Sequence, residues 1–430
     1  MAEGWFPKWR LKGAGEGAIV APDERLSLLQ TGVMGVQHAV AMFGSTVLAP
    51  LLMGFDPNLA ILMSGVGTLI FFLIVGGRVP SYLGSSFAFI GVVIAATGYA
   101  GSGANPQIGL ALGGIIVCGL VYALIGLVVM ALGTGWIERL LPPVVTGAIV
   151  TMIGLNLAPV AVASVSNSAF ESWMAMVTVL CIGFAAVWSR GLAQRLLILL
   201  GLLSAYLVYA VVANGFGLGT PIDFSPVFEA PWLGLPVFSS PSFELGAIAL
   251  IAPVAVILVA ENLGHIKAVG AMTERNLDPW IGRAFLGDGV ATMVSGSVGG
   301  TGVTTYAENI GVMAVTRVFS TLIFVAAALL AILLGFSPKF GALIQTIPGP
   351  VLGGTSIVVF GLIAVAGARI WLQNGVDLGD TKHLIVIAAT LVLGAGNFHL
   401  AIGGFTLDGI GTATFTAILL NLILVRRSRV

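Results

Sequence analysis

The sequence predicts an all-α polytopic membrane protein of about fourteen transmembrane segments, arranged as two inverted seven-span repeats. Three observations carry this. Apolar runs of roughly 20 residues, the length of helix that crosses the hydrocarbon layer, recur from Leu28 to Leu424 in a chain that is 58% hydrophobic, 8% charged and of mean hydropathy +1.07. Positive charge gathers on one side of those runs. A short motif of the first half returns in the second, at the same position in the order of spans.

The segments are read at 29–54, 58–76, 82–98, 107–132, 143–165, 170–188, 193–215, 245–266, 282–298, 303–316, 319–336, 345–366, 383–398 and 404–425. With a cytoplasmic N-terminus, Lys8, Arg10, Lys12, Arg25, Arg78, Arg139, Arg190, Arg195, Lys267, Arg275, Arg283, Arg317, Arg369, Lys382, Arg426, Arg427 and Arg429 fall in cytoplasmic segments or at their edges. Of the 18 Lys and Arg residues only Lys339 falls elsewhere. Such a bias follows the positive-inside rule, and a wrong span count would scramble it. The opposite loops carry acids and prolines, among them Asp223, Pro226, Glu229, Pro231, Pro236 and Pro241. Both termini are therefore expected in the cytoplasm of a bacterial inner-membrane protein. Met1 to Glu24 holds Lys8, Arg10 and Lys12 and no apolar core, unlike a cleavable signal. The tail Arg426-Arg427-Ser428-Arg429 reads as a stop-transfer flank.

Composition also excludes whole classes. A formal net charge of zero without a basic cluster argues against nucleic acid; the lipid bilayer is the expected surrounding. Cys118 and Cys181 lie in apolar spans and read as small buried hydrophobes. No His/Cys/Asp group has metal spacing, so no metal or other cofactor is expected. The absence of a Walker-type loop argues against an ATP-driven pump. The 59 glycines suit close helix packing and unwound segments.

Ser85-Ser86-Phe87-Ala88-Phe89-Ile90-Gly91-Val92 resembles Thr304-Thr305-Tyr306-Ala307-Glu308-Asn309-Ile310-Gly311-Val312, with one inserted residue in the Glu308–Asn309 pair. The two fall in the third and tenth spans. An odd number of spans per half forces opposite orientations, the plan of many secondary transporters, and matching Gly-interrupted segments point to a substrate site near the midplane. The hydroxyl and aromatic residues can run extended, with a short helix following. A half-helix starting at membrane depth offers free N–H groups and a positive dipole end. The backbone at Phe87 and at Tyr306–Ala307 is thus the candidate donor set, with Phe87 and Tyr306 as stacking faces.

Glu308 sits in an otherwise uncharged stretch, Ser295 to Thr316. An ionisable group at membrane depth costs about 2.5–3.5 kcal/mol on insertion scales, so it is expected to line a cavity or to have a partner. The second ionisable site is Ala260-Glu261-Asn262-Leu263-Gly264-His265, preceded by the apolar run Ile251 to Val259. Glu261 and His265 are four apart, share a helix face and can hydrogen-bond or share a proton. Two membrane carboxylates and one histidine suit proton-coupled binding of a ligand that carries N–H donors. Gln37-His38 in the first span either lines the site or packs the span. Asp288, in Gly287-Asp288-Gly289, completes a hydrogen-bond network, and Asn309 is placed to orient Glu308. His383 and His399 read as interface residues. Snorkelling of Glu261 and His265, or an anchoring role for Glu308, is the plainer alternative.

Gln37-His38, A-E-N-L-G-H at Ala260 to His265 and E-N-I-G-V-M-A-V-T-R at Glu308 to Arg317 resemble the nucleobase–ascorbate transporter family, also called nucleobase:cation symporter-2. The resemblance spans essentially the whole chain. It implies fourteen spans in two inverted halves, with short strands in the third and tenth. A core domain would comprise 29–132 and 245–336, and a gate domain 133–244 and 337–430, after a cytoplasmic segment 1–28. In bacterial uracil permeases of this family the residues matching Glu261 and Glu308 bind the base. The residues matching Phe87 and the backbone beside Tyr306–Ala307 contact it, and the one matching His265 supports proton coupling. Phe360 on the gate side stands where those permeases carry Tyr, and Ser45 replaces a small apolar residue near the site.

The reading is a proton-coupled importer of uracil and related pyrimidines such as thymine, moving core against gate in an elevator-like cycle, with H+ as coupling ion and a homodimer expected. A xanthine or urate permease is the nearest rival. A channel of the same fold and an intramembrane enzyme using the Glu–His pair are the others; the latter lacks a nucleophile or metal, so no enzyme activity is expected.

Overall fold

Ser27 and Gln30 open the first span with a reciprocal capping box, in which each side chain satisfies a backbone N–H of the other. In the computed structural model this helix, α1, is Leu28–Met53, and the residues described are 4–12, 19–99, 103–402 and 405–426. The expected stop-transfer residues Arg427 to Arg429 lie outside them. Ahead of α1 two short strands, β1 (Arg10–Leu11) and β2 (Glu24–Arg25), pair in parallel. Gly54, left-handed at φ 72°, ends α1, and Asp56 caps α2 (Pro57–Ile74), whose proline takes the first turn where no N–H is needed.

Strand β3 (Leu83–Ser85) and α3 (Ala88–Thr97) form the third segment, followed by α4 (Ile108–Leu132) and a surface turn of helix, α5 (Gly135–Leu140). Next come α6 (Pro143–Ala163), α7 (Ala169–Trp188), α8 (Leu192–Arg195), α9 (Leu197–Ala210) and α10 (Ser225–Glu229). Pro253 cannot continue a helix as donor, and it divides the eighth segment into α11 (Leu245–Ile251) and α12 (Val254–Thr273). Then follow α13 (Ile281–Val298), strand β4 (Val303–Thr305), α14 (Ala307–Thr316), α15 (Thr321–Gly335), α16 (Pro338–Gln345), α17 (Gly349–Gln373) and α18 (Thr381–Ala395). A hairpin of β5 (Leu400–Ile402) and β6 (Phe405–Leu407) leads into α19 (Gly409–Arg426).

Helix occupies each of the fourteen expected segments. Eight helices are long and apolar enough to cross a membrane alone, and α15 with α16 would make a ninth, bent by 82°. The shorter apolar helices are Ala88–Thr97, Thr381–Ala395 and Gly409–Leu424. The third and tenth segments are short because each is half strand.

Strands β3 and β4 pair antiparallel, Leu83 with Thr305, Gly84 with Thr304 and Ser85 with Val303. A two-stranded sheet has two outer edges, and unpaired backbone groups in hydrocarbon each cost several kcal/mol. Hydroxyls from neighbouring helices meet both edges. Thr68 of α2 accepts from the Leu83 N–H at 2.9 Å, while its own proton goes chiefly to the Ser64 carbonyl at 2.7 Å with the Leu83 carbonyl farther off at 3.4 Å. Thr292 of α13 likewise accepts from the Val303 N–H at 3.2 Å, and it donates to the Val303 carbonyl at 3.0 Å. The second and ninth spans therefore play one part in two halves. Replacing either threonine by valine strands buried backbone groups; a loss of about 1–3 kcal/mol each is expected, read as a lower unfolding temperature in detergent or nanodiscs.

The same exchange appears in helix packing. α4 packs along α13, and α2 along α15. Glycines let the backbones approach: a methyl on Gly289 would lie 2.6 Å from the Gly119 carbonyl, and one on Gly126 2.8 Å from the Gly282 carbonyl. α6 lies along α17 in the same way, where a methyl on Gly367 would meet the Gly147 carbonyl at 2.6 Å. Packing falls into two groups, α1–α4 with α11–α15, and α6, α7 and α9 with α17–α19. The linker α5 touches α19 and joins α12 through a Glu138–Lys267 ion pair at 2.6 Å. Lys339, the exception to the charge bias, donates to the carbonyls of Val227 and Phe228 at the end of α10, at 2.7 and 3.3 Å.

Candidate functional site

The two half-helices start where the repeat aligns them, α3 at Ala88 and α14 at Ala307. Neither cap residue, Phe87 or Tyr306, supplies a side-chain cap. At α3 the Ala88 N–H already donates to the Ser86 hydroxyl, 3.3 Å away, so α14 is the more open start. Ala307 is exposed although Tyr306 before it and Asn309 after it are buried. A solvent-accessible space thus reaches the first turn of α14. Phe87 and Glu308 are half-buried.

Helix α12 packs against α3, α14 and β4 and carries Glu261 and His265, both half-buried. Glu261 and Glu308 are thus carried on helices that pack against each other, α12 and α14. Their supports differ. Glu308 accepts from the Ser45 hydroxyl of α1, whereas Glu261 has no side-chain partner among the described residues. One acid is therefore held and the other is free to accept from a ligand.

Several expected contacts resolve otherwise. His265 does not bond to Glu261; its Nδ1 pairs with the Thr305 hydroxyl at 2.8 Å, because α12 lies against β4. Asn309 does not orient Glu308. Its amide nitrogen sits 3.0 Å from His38 Nδ1 and 3.1 Å from the His38 carbonyl, tying α14 to α1. His38 is buried with its ring 4.7 Å from that of Phe324, so it packs the first span, while Gln37 is half-buried beside it. Tyr306 is no stacking face: its ring lies over Gly84, its hydroxyl donates to the Ser85 carbonyl at 2.9 Å and accepts from Thr46 at 3.2 Å. A methyl on Gly84 would come within 2.5 Å of that ring. Gly84→Ala should therefore unseat Tyr306 and the start of α14, abolishing ligand binding even where folded protein is recovered; a binding isotherm on the purified variant checks this.

Asp288 joins a buried network. Its Oδ2 accepts from the Asn262 amide at 2.6 Å and from Tyr122 at 3.3 Å, and Asn262 also donates to the Tyr122 oxygen at 2.8 Å. Thr305, Asn262 and Tyr122 were not singled out from sequence. Asn262 lies inside the A-E-N-L-G-H motif, which was a signal available; Tyr122 had none. Phe360 is buried on α17, which packs on α6 and α7. His383 is half-buried and His399 exposed, Cys118 and Cys181 are free, and no metal-holding group of His, Cys, Asp and Glu exists among the described residues.

The profile of the Permease family Xan_ur_permease matches residues 29–402. The chain belongs to this family. It is the nucleobase:cation symporter-2 group that the motifs at Ala260 and Glu308 resemble. The chain is 71% identical to the Escherichia coli (strain K12) protein named "Putative pyrimidine permease RutG", over 99% of this chain and 97% of that one. It is 43% identical to a uracil permease of Paenibacillus larvae, over 94% and 96% of the two chains. The transmembrane domain of the cyanobacterial bicarbonate transporter BicA superposes with a TM-score of 0.63 at 16% identity, over 92% of this chain and 98% of that one. That likeness shares the inverted-repeat fold. The permease is thus a multi-pass membrane transporter, not an enzyme.

Proposed function

We propose that this permease is a proton-coupled symporter that imports uracil and related pyrimidine bases across the bacterial inner membrane, with both termini in the cytoplasm. The observation that carries the reading is the meeting of an unpartnered carboxylate, Glu261, with a supported one, Glu308, at the open start of α14. Such a place fits a flat ring that has both N–H donors and carbonyl acceptors. Glu261 accepts from ring N–H groups, the first N–H groups of α14 donate to a ring carbonyl, and Phe87 offers an aromatic face. Glu308 takes and releases the coupling proton, and His265 exchanges protons one turn from Glu261. Relatives named for pyrimidine and uracil permeation support the substrate class.

The two packing groups support a cycle in which a core, 29–132 with 245–336, moves against a gate, 133–244 with 337–430. A homodimer is the assembly proposed for the permease. Phe360 lies on the gate side and has no hydroxyl for the base, which leaves selectivity to the core. Uptake of labelled uracil into cells expressing the permease, competed by unlabelled uracil, thymine or xanthine, tests the substrate. Competition by the pyrimidines is expected; competition by xanthine alone contradicts it. His265→Ala is expected to bind uracil while losing acid-stimulated uptake, and normal stimulation would remove His265 from the coupling.

A further inference from the structure

The hydrogen bonds behind His265 can be followed to one end, and with Asp288 Oδ2 as an acceptor each leaves only one arrangement of protons. The Leu258 carbonyl and Asp288 Oδ2 are acceptors, lying 3.2 and 3.3 Å from the Tyr122 hydroxyl. The Tyr122 proton points at them, so its oxygen is an acceptor for Asn262. The Asn262 atom beside Asp288 Oδ2 at 2.6 Å and beside Tyr122 at 2.8 Å must then be the NH2 group; a flipped amide would set oxygen against oxygen. The Asn262 carbonyl consequently faces the Thr305 hydroxyl, 3.4 Å away.

Thr305 has one proton to give. Asn262 is fully buried, so a hydroxyl turned toward His265 would leave the Asn262 carbonyl without a donor, the costly case for a buried acceptor. The hydroxyl turns to Asn262 and accepts from His265 Nδ1, 2.8 Å away. A neutral imidazole has a single N–H. We propose that Asp288, Asn262 and Thr305 are positioning residues that fix the tautomer of His265, with its proton on Nδ1 and Nε2 left as the acceptor.

Nε2 has no protein partner among the described residues, and the side chain is half-buried, so a proton from water in the accessible space can reach it. Uptake of that proton gives an imidazolium whose Nδ1–H bond to Thr305 is unchanged, and its release restores the same tautomer. The histidine can therefore cycle without its ring turning. The tautomer follows from the hydrogen-bond geometry with Asp288 Oδ2 accepting; its use as the acceptor for a transported proton rests on the symport proposed above.

The test is the ring-nitrogen NMR spectrum of full-length permease labelled with 15N-histidine in lipid bilayers, at alkaline pH where imidazole is neutral. The chain has 4 histidines, and the His265→Ala spectrum identifies the signal of His265. A protonated Nδ1 with a bare, pyridine-like Nε2 is expected in the native permease and in Thr305→Ser. Thr305→Val should lose that pattern and move the proton to Nε2, lowering kcat of uptake with little change in KM. A bare Nδ1 in the native permease overturns the proposal, as does a Thr305→Val spectrum that keeps the Nδ1 proton. Should the valine variant fail to fold, the native and serine spectra decide. Because the spectrum needs no transport, failure of the tautomer and failure of the symport reading are told apart.

Discussion

Glu261→Gln is expected to weaken pyrimidine binding by tenfold or more. A hydrogen bond to a charged acceptor contributes about 1.5–3 kcal/mol, and every 1.4 kcal/mol is about tenfold in affinity. Glutamine keeps the length of the side chain, yet it turns one acceptor into an NH2 group that would face the N–H donors of the ring. Since Glu261 has no side-chain partner among the described residues, the substitution breaks no bond seen within the fold, and unfolding temperature should hold while affinity falls. Isothermal titration of purified native and variant permease with uracil separates these quantities. Undiminished affinity would remove Glu261 from the site.

Glu308 should behave differently, because Ser45 already donates to it. The carbonyl of a glutamine can accept that same hydroxyl, and the amide resembles a protonated carboxyl in shape and charge. Glu308→Gln is therefore expected to bind pyrimidine but not to accumulate it against a gradient. Glu308→Ala removes the acceptor, leaves the buried Ser45 hydroxyl unpaired, and should lose binding as well. Equilibrium binding and gradient-driven uptake measured on both variants decide the matter; accumulation by the glutamine form would make Glu308 an anchor only.

Much of the architecture is legible in the residues themselves. Apolar length marks the spans, the Ser27–Gln30 box and the Asp56-Pro57 start mark helix beginnings, and the repeat aligns Ala88 with Ala307, where both half-helices begin. The carboxylates are legible too, because charge is rare in such a chain. Side-chain partners are not. Asn309 meets His38 across 271 positions and His265 meets Thr305 across 40, and both depend on how β3 and β4 seat the helices around them. The direction of the Tyr306 ring depends on a missing side chain, that of Gly84 on the opposite strand. A spacing rule placed His265 beside Glu261 on one face of α12, but a strand hydroxyl lay nearer. Local periodicity says which face a residue takes; only the strand register says what it meets there.

The most direct measurement uses purified permease in sealed proteoliposomes holding a pH-sensitive dye, with the outside made acidic and labelled uracil added. Uracil should rise inside above its outside concentration while the lumen acidifies in step, and a protonophore should abolish the accumulation. Uracil entry that leaves lumen pH unchanged, or accumulation that survives the protonophore, would contradict proton-coupled symport.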